Sequence, residues 1–144
     1  MNKIGHSLHW HSSVFKKTTF EDDNVKLIAK DLGFKNPALV QGMYIFKQPK
    51  IGTKVTPHQD GTFLFNDPLK LVGFWFPIDD ATLENGCLWY VPGSHSLPIS
   101  SRFKRNLDDR MIFEGKDHQI KEEDWVAVPV KKGKQMFLNF LKIF

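Results

Sequence analysis

A chain of 144 residues with 41% hydrophobic and 25% charged residues can bury a real core and is too apolar to be disordered. Its net charge of +4 comes from scattered lysines, of which only Lys16-Lys17 and Lys131-Lys132 are adjacent to one another, so no nucleic-acid stripe is expected, although a basic balance modestly favours an anionic small molecule. Cys87 is the only cysteine, which excludes an intrachain disulfide and a multi-cysteine zinc cage, and with no membrane-spanning run or signal peptide the expected compartment is the cytosol.

In chain order, Thr19-Phe20-Glu21-Asp22-Asp23 leads into a segment where Val25, Ile28, Ala29 and Leu32 recur at helical spacing, with acids before it and Gly33 after it. That predicts one amphipathic helix. Beyond Asn36-Pro37 the pattern becomes short apolar runs between turn residues: ALVQGMYIF, LVGFWFPI, CLWYV, WVAVPV and QMFLNFLKIF. These read as strands. Asp79-Asp80 through Asn85-Gly86 links the second run to the third, and Pro92-Gly93-Ser94 closes the third in a tight turn. A mainly β fold, an antiparallel sandwich or barrel with a flanking helix, follows. No repeat or linker divides the chain, so residues 1–144 are expected to be a single domain.

The segment TPHQDGTF carries the chemistry, because His58 and Asp60 stand two apart and so face the same side of an extended backbone. Imidazole plus carboxylate suits iron(II), whose two-histidine, one-carboxylate triad leaves positions open for an oxoacid and dioxygen. Taken alone, the pair also fits a polar strand end with a satisfied histidine. His6, His9 and His11 could suggest zinc, but Trp10 interrupts them and neither cysteine nor nearby acid completes four ligands; a partly exposed strand or loop is expected there. His118, in a charged stretch, is expected to be solvated surface. Ser94-His95 has no nucleophile elbow, and no glycine-rich loop precedes the helix to cradle phosphate.

Together, NKIGHSLH, VQGMYIFKQP, TPHQD and DATLENGCLWYVPGSHS, fading through VPVKKG, resemble the phytanoyl-CoA dioxygenase family over nearly the whole chain. The resemblance implies a double-stranded β-helix of the jelly-roll or cupin type, bound iron(II), 2-oxoglutarate as co-substrate, ascorbate as a possible reductant, and an unidentified small-molecule substrate. It places metal ligands at His58 and Asp60 and 2-oxoglutarate-lining residues at Lys3, Met43 and Trp75. Read without it, Met43 and Trp75 would be core residues on strands and Lys3 a solvated lysine. A buried cation facing a dicarboxylate is nonetheless chemically sensible.

The same resemblance predicts a third, distal histidine at or past Phe144 and then an arginine that clamps the oxoacid, and QMFLNFLKIF holds neither. His95 is not the family's distal ligand. The chain is therefore expected to be truncated at both ends. It is read as a dioxygenase completed from outside these residues, or alternatively as a catalytically inactive form acting, if at all, by binding.

Overall fold

The computed structural model describes residues 2–52, 54–134, 136–139 and 143. They are mainly β, with eight strands and three α-helices, and fall into two compact units, Met1–Thr53 and Lys54–Phe144.

In the first unit the antiparallel pair β1 (Lys3–Ile4) and β2 (Tyr44–Ile45) is followed inward by backbone bonds from Gly42 N–H to the His6 carbonyl (2.8 Å) and from Leu8 N–H to the Gly42 carbonyl (3.2 Å). The short helices α1 (Leu8–His11) and α2 (Ser13–Lys16) run into a single π-turn at Lys17–Glu21. There the Thr18 and Thr19 hydroxyls donate to the carbonyls four residues back (2.9 and 2.7 Å), a side-chain bonding that bends helices. The expected helix is α3 (Asp23–Asp31). Asp22 caps it by accepting from the Asn24 and Val25 N–H groups, and at its far end Phe34 N–H returns to the Ala29 carbonyl at 3.0 Å. The His6–His11 segment departs from expectation. It is helical from Leu8, and His9 is buried against the rings of Trp10 and Phe20 instead of lying in an open strand.

The second unit contains β3 (Val72–Trp75), β4 (Leu88–Tyr90), β5 (Ser101–Arg105), β6 (Met111–Gly115), β7 (Val126–Val128) and β8 (Met136–Asn139). Their pairing is nested: β3 with β8, β4 with β7 and β5 with β6, every pair antiparallel. Among the described residues the predicted strands are thus present, the first four shorter than their apolar runs, and they belong to separate two-stranded ladders; of QMFLNFLKIF, residues 135, 140–142 and 144 lie outside the described residues. The β5–β6 hairpin was not anticipated, because SRFKR and MIFEG mix charges with aromatics. Buried apolar side chains here include Cys87, Val91 and Ile143, and Ile143 N–H donates to the buried Ser94 hydroxyl at 3.0 Å while its carbonyl accepts from Val91 N–H at 3.1 Å.

The connectors before β4 and after β7 are strapped together. Ala81 and Val130 exchange backbone bonds of 2.8 and 2.9 Å, and the Asp80 carboxylate accepts from Lys131 Nζ (2.7 Å) and Lys132 N–H (2.9 Å). The Lys131 ammonium and then the Lys132 amide hold the Asp80 carboxyl below the usual carboxylate range, and Asp80 raises Lys131 in turn. A depressed carboxyl contributes stability above its unfolded value and loses it as pH falls through the folded one; a raised lysine contributes below its unfolded value and loses it as pH rises through the folded one. Both groups are open to solvent, so the contribution is modest. Asp80→Asn is therefore expected to lower the melting temperature slightly between about pH 4 and about pH 10, with the difference closing beyond either limit. Thermal melts across that range check it, and a difference unchanged in strong acid would remove the ion pair as the cause.

Candidate metal centre

The His58 and Asp60 side chains come together, with Nε2 to Oδ1 at 3.2 Å and 30% and 25% of their side-chain surface exposed. The backbone supplies the approach. Gln59 is extended (φ −102°, ψ 127°), so its neighbours turn to one side, and Asp60 then opens a 3₁₀ turn, Asp60–Thr62, instead of continuing a strand. The Thr62, Phe63 and Leu64 N–H groups fold back on the carbonyls of Gln59 and Asp60 (2.9, 3.0 and 3.0 Å).

His58 Nδ1–H donates to the Thr56 carbonyl at 2.8 Å, since a carbonyl can only accept. That leaves Nε2 facing the Asp60 carboxylate, and in the neutral ring it is the nitrogen with the lone pair. Two acceptors at such a distance repel unless a cation lies between them, either a proton on the imidazole or a metal ion. An imidazole oriented by a backbone carbonyl, beside a carboxylate, is a donor set suited to a borderline divalent metal.

Gln59, which the sequence reading passed over, points the other way and is 3% exposed. Its Nε2 donates to the Pro98 carbonyl at 3.3 Å, its Oε1 accepts from Ser100 N–H at 3.2 Å and from the Ser100 hydroxyl at 3.4 Å, and its backbone bridges antiparallel to Ile143. The carboxamide pins the His58–Asp60 turn to the 98–101 segment. Its position between two residues turned to one face was the sequence clue. His118 also engages this segment, with Nε2–H donating to the Pro98 carbonyl at 3.0 Å, so it is not simply solvated surface.

Of the other candidates, Trp75 lies half-buried on β3 opposite Met136. In the first unit Lys3 is on β1 opposite Ile45, exposed and not buried, and Met43 is half-buried immediately before β2, its Cβ close against Gly5. His95 is exposed in a 3₁₀ turn at Ser94–Ser96, after Gly93 in the left-handed conformation (φ 78°). Among the described residues, no third histidine, cysteine, aspartate or glutamate gathers with the pair, and no helix is long and apolar enough to cross a membrane.

Gln59→Leu would keep the bulk and leave the part-buried Ser100 N–H without its acceptor, a loss of about 1 kcal/mol. Urea denaturation should show that loss, and Mn(II) affinity should fall by roughly 10- to 100-fold, the usual effect of removing a partner that orients a ligand. Unchanged affinity in a folded Gln59→Leu protein would show that the carboxamide does not position the pair.

The sequence matches the family profile of phytanoyl-CoA dioxygenase (PhyH) across residues 2–141. It is 44% identical over 137 residues to phytanoyl-CoA dioxygenase domain-containing protein 1 of Mus musculus, covering 92% of this chain and 47% of that protein. It is also 44% identical over 146 residues to the Danio rerio protein of the same name (96% and 49%). Identity to phytanoyl-CoA dioxygenase 1 of Oryza sativa subsp. japonica is 45% over 134 residues (92% and 47%). The chain spans about half the length of these curated relatives. With a match that runs through both compact units and includes the His58–Asp60 turn, this chain belongs to the phytanoyl-CoA dioxygenase family.

Proposed function

We propose that residues 1–144 form one partial domain of an iron(II)- and 2-oxoglutarate-dependent dioxygenase that hydroxylates a small molecule. His58 and Asp60 are two of its three metal ligands, and Lys3, Met43 and Trp75 line the 2-oxoglutarate pocket. The observation that carries the reading is the 3.2 Å approach of His58 Nε2 to Asp60 Oδ1, with the imidazole already oriented by Thr56. Family membership supports the reaction class. The nested pairing of β3–β8, β4–β7 and β5–β6 supports a jelly roll, since a long antiparallel ribbon wound into a double-stranded helix has this order of partners.

Iron(II), when bound, couples decarboxylation of 2-oxoglutarate by dioxygen to hydroxylation of a substrate C–H, giving succinate, carbon dioxide and the alcohol. The chain's own residues prepare for it. His58 presents one lone pair because Nδ1 is committed to Thr56, Asp60 supplies the anionic oxygen that favours a divalent cation, and Gln59 fixes the angle between them. Lys3, exposed as a lysine can be while keeping its charge, would meet an oxoacid carboxylate. The third histidine and the carboxylate-clamping arginine of the family pattern lie, in this proposal, outside the 144 residues.

Two tests follow. His58→Ala and Asp60→Ala should each weaken Mn(II) binding by more than the roughly 10- to 100-fold that losing an orienting partner costs, read by equilibrium dialysis. Dialysis affinities equal to the parent's would refute the ligand assignment. Given iron(II), ascorbate and labelled 2-oxoglutarate, the 144-residue chain by itself is expected to release little carbon dioxide. An arginine–carboxylate contact alone contributes about 1.5–3 kcal/mol, or one to two decades of affinity. Rapid release abolished by His58→Ala would show that these residues complete the site themselves. No metal binding and no release would favour the inactive binding form.

A further inference from the structure

The His58 imidazole is one member of a cluster of rings. Phe63 meets it edge to face, with centroids 5.9 Å apart at 74°. Phe63 in turn touches Phe103 (5.8 Å, 56°) and Phe113 (6.0 Å, 90°), and those two, paired across the β5–β6 hairpin, stand 4.8 Å apart at 39°. The cluster is not a sealed core, because Phe63 is 46% and Phe113 62% exposed. An open apolar array continuous with a candidate metal ligand is placed to meet whatever is presented to that metal.

The arrangement specifies more than apolarity. Phe63 and Phe113 are perpendicular, the edge of one meeting the face of the other, so the two ring faces they still present stand at right angles, one to be stacked upon and one to receive an edge. Another flat ring can use both at once, whereas a saturated chain gains only area. Phe65, two residues on, is a ring of different use, with the Arg102 guanidinium 3.3 Å over its centroid.

The geometry points to Phe63, Phe103 and Phe113 as the substrate wall of the His58–Asp60 site, one that receives an aromatic ring of the molecule to be hydroxylated. This rests on the proposed metal-dependent function for the identity of the site, and names its substrate class as aryl-bearing. The wall's position is set by backbone. Gly115, at the end of β6, has φ of 102°, and a Cβ there would lie 2.2 Å from the Ser100 carbonyl oxygen, so the hairpin closes on the residue that also binds Gln59.

The test uses the 144-residue chain and two alcohols of one skeleton, benzyl alcohol and cyclohexylmethanol, followed by ligand-observed NMR with and without Mn(II). Benzyl alcohol should bind more tightly than cyclohexylmethanol, and its ring protons should be broadened by bound Mn(II). Phe113→Leu, at an exposed position that tolerates the change, should weaken benzyl alcohol roughly two- to tenfold, the worth of one aromatic pair. Phe113→Tyr should restore it, and Phe65→Leu should leave it unchanged. Equal or tighter binding of cyclohexylmethanol overturns the aryl class. Equal losses from Phe113→Leu and Phe65→Leu overturn the location, as does binding with no broadening by protein-held Mn(II). Should Mn(II) not bind at all, the metal reading fails by itself, and the Phe113 and Phe65 comparison still decides the wall.

Discussion

The carboxamide of Gln59 holds together what the site requires. It is 3% exposed, and its contacts include the Pro98 carbonyl and the Ser100 N–H and hydroxyl. A buried amide without partners would cost several kcal/mol, so a turn carrying one has little freedom to settle elsewhere. Because side chains alternate along extended backbone, burying Gln59 forces His58 and Asp60 outward together. The anchor is hidden while its neighbours stay accessible, at 30% and 25% exposure.

Around that anchor the apolar contribution is thin. Cys87, Val91 and Ile143 are buried in the second unit, while Trp89, Phe113, Ile78 and Val126 keep 45%, 62%, 53% and 44% of their surface. Two-stranded ladders are marginal by themselves. The second unit compensates with polar ties at ladder ends: Ser94 to Val91 and Ile143, Ser101 to Asp117 at 2.7 Å, and Asp80 to Lys131 and Lys132. Such ties are directional, so they fix the angles at which the ladders meet.

The legibility of the sequence follows the range of the interactions involved. The helix at Asp23–Asp31 was readable because its signals, the Asp22 cap, the apolar spacing and Gly33, are all local. The His58 and Asp60 convergence was readable from alternation alone. Strand lengths were not, since ladder length depends on partners far away in sequence: of ALVQGMYIF only Tyr44–Ile45 forms a ladder, against the two residues of β1, with Gly42 adding an isolated bridge to Ser7. Gln59 and His118 were missed for the same reason. Their value lies in Pro98 and Ser100, some 40 and 20 residues distant. For β5–β6 the usable clue was Phe103 and Phe113 flanking Asn106–Arg110, where the Asn106 side chain accepts from the Asp108 and Arg110 N–H groups (3.0 and 2.9 Å).

Ser100 is where the His58–Asp60 turn and the β5–β6 hairpin meet. Its N–H is spent on Gln59, which holds that turn, and its carbonyl oxygen lies where the absence of a Cβ at Gly115 lets the end of β6 close in. The His58–Asp60 pair and the aromatic hairpin are therefore referenced to opposite sides of one residue, through backbone atoms. Side-chain contacts such as Phe63 on His58 adjust by rotation, but a backbone register moves only by breaking the ladder. The proposed dioxygenase would need that spacing fixed to fractions of an ångström to present one substrate carbon to one metal, and a shared backbone reference would fix it without a large core.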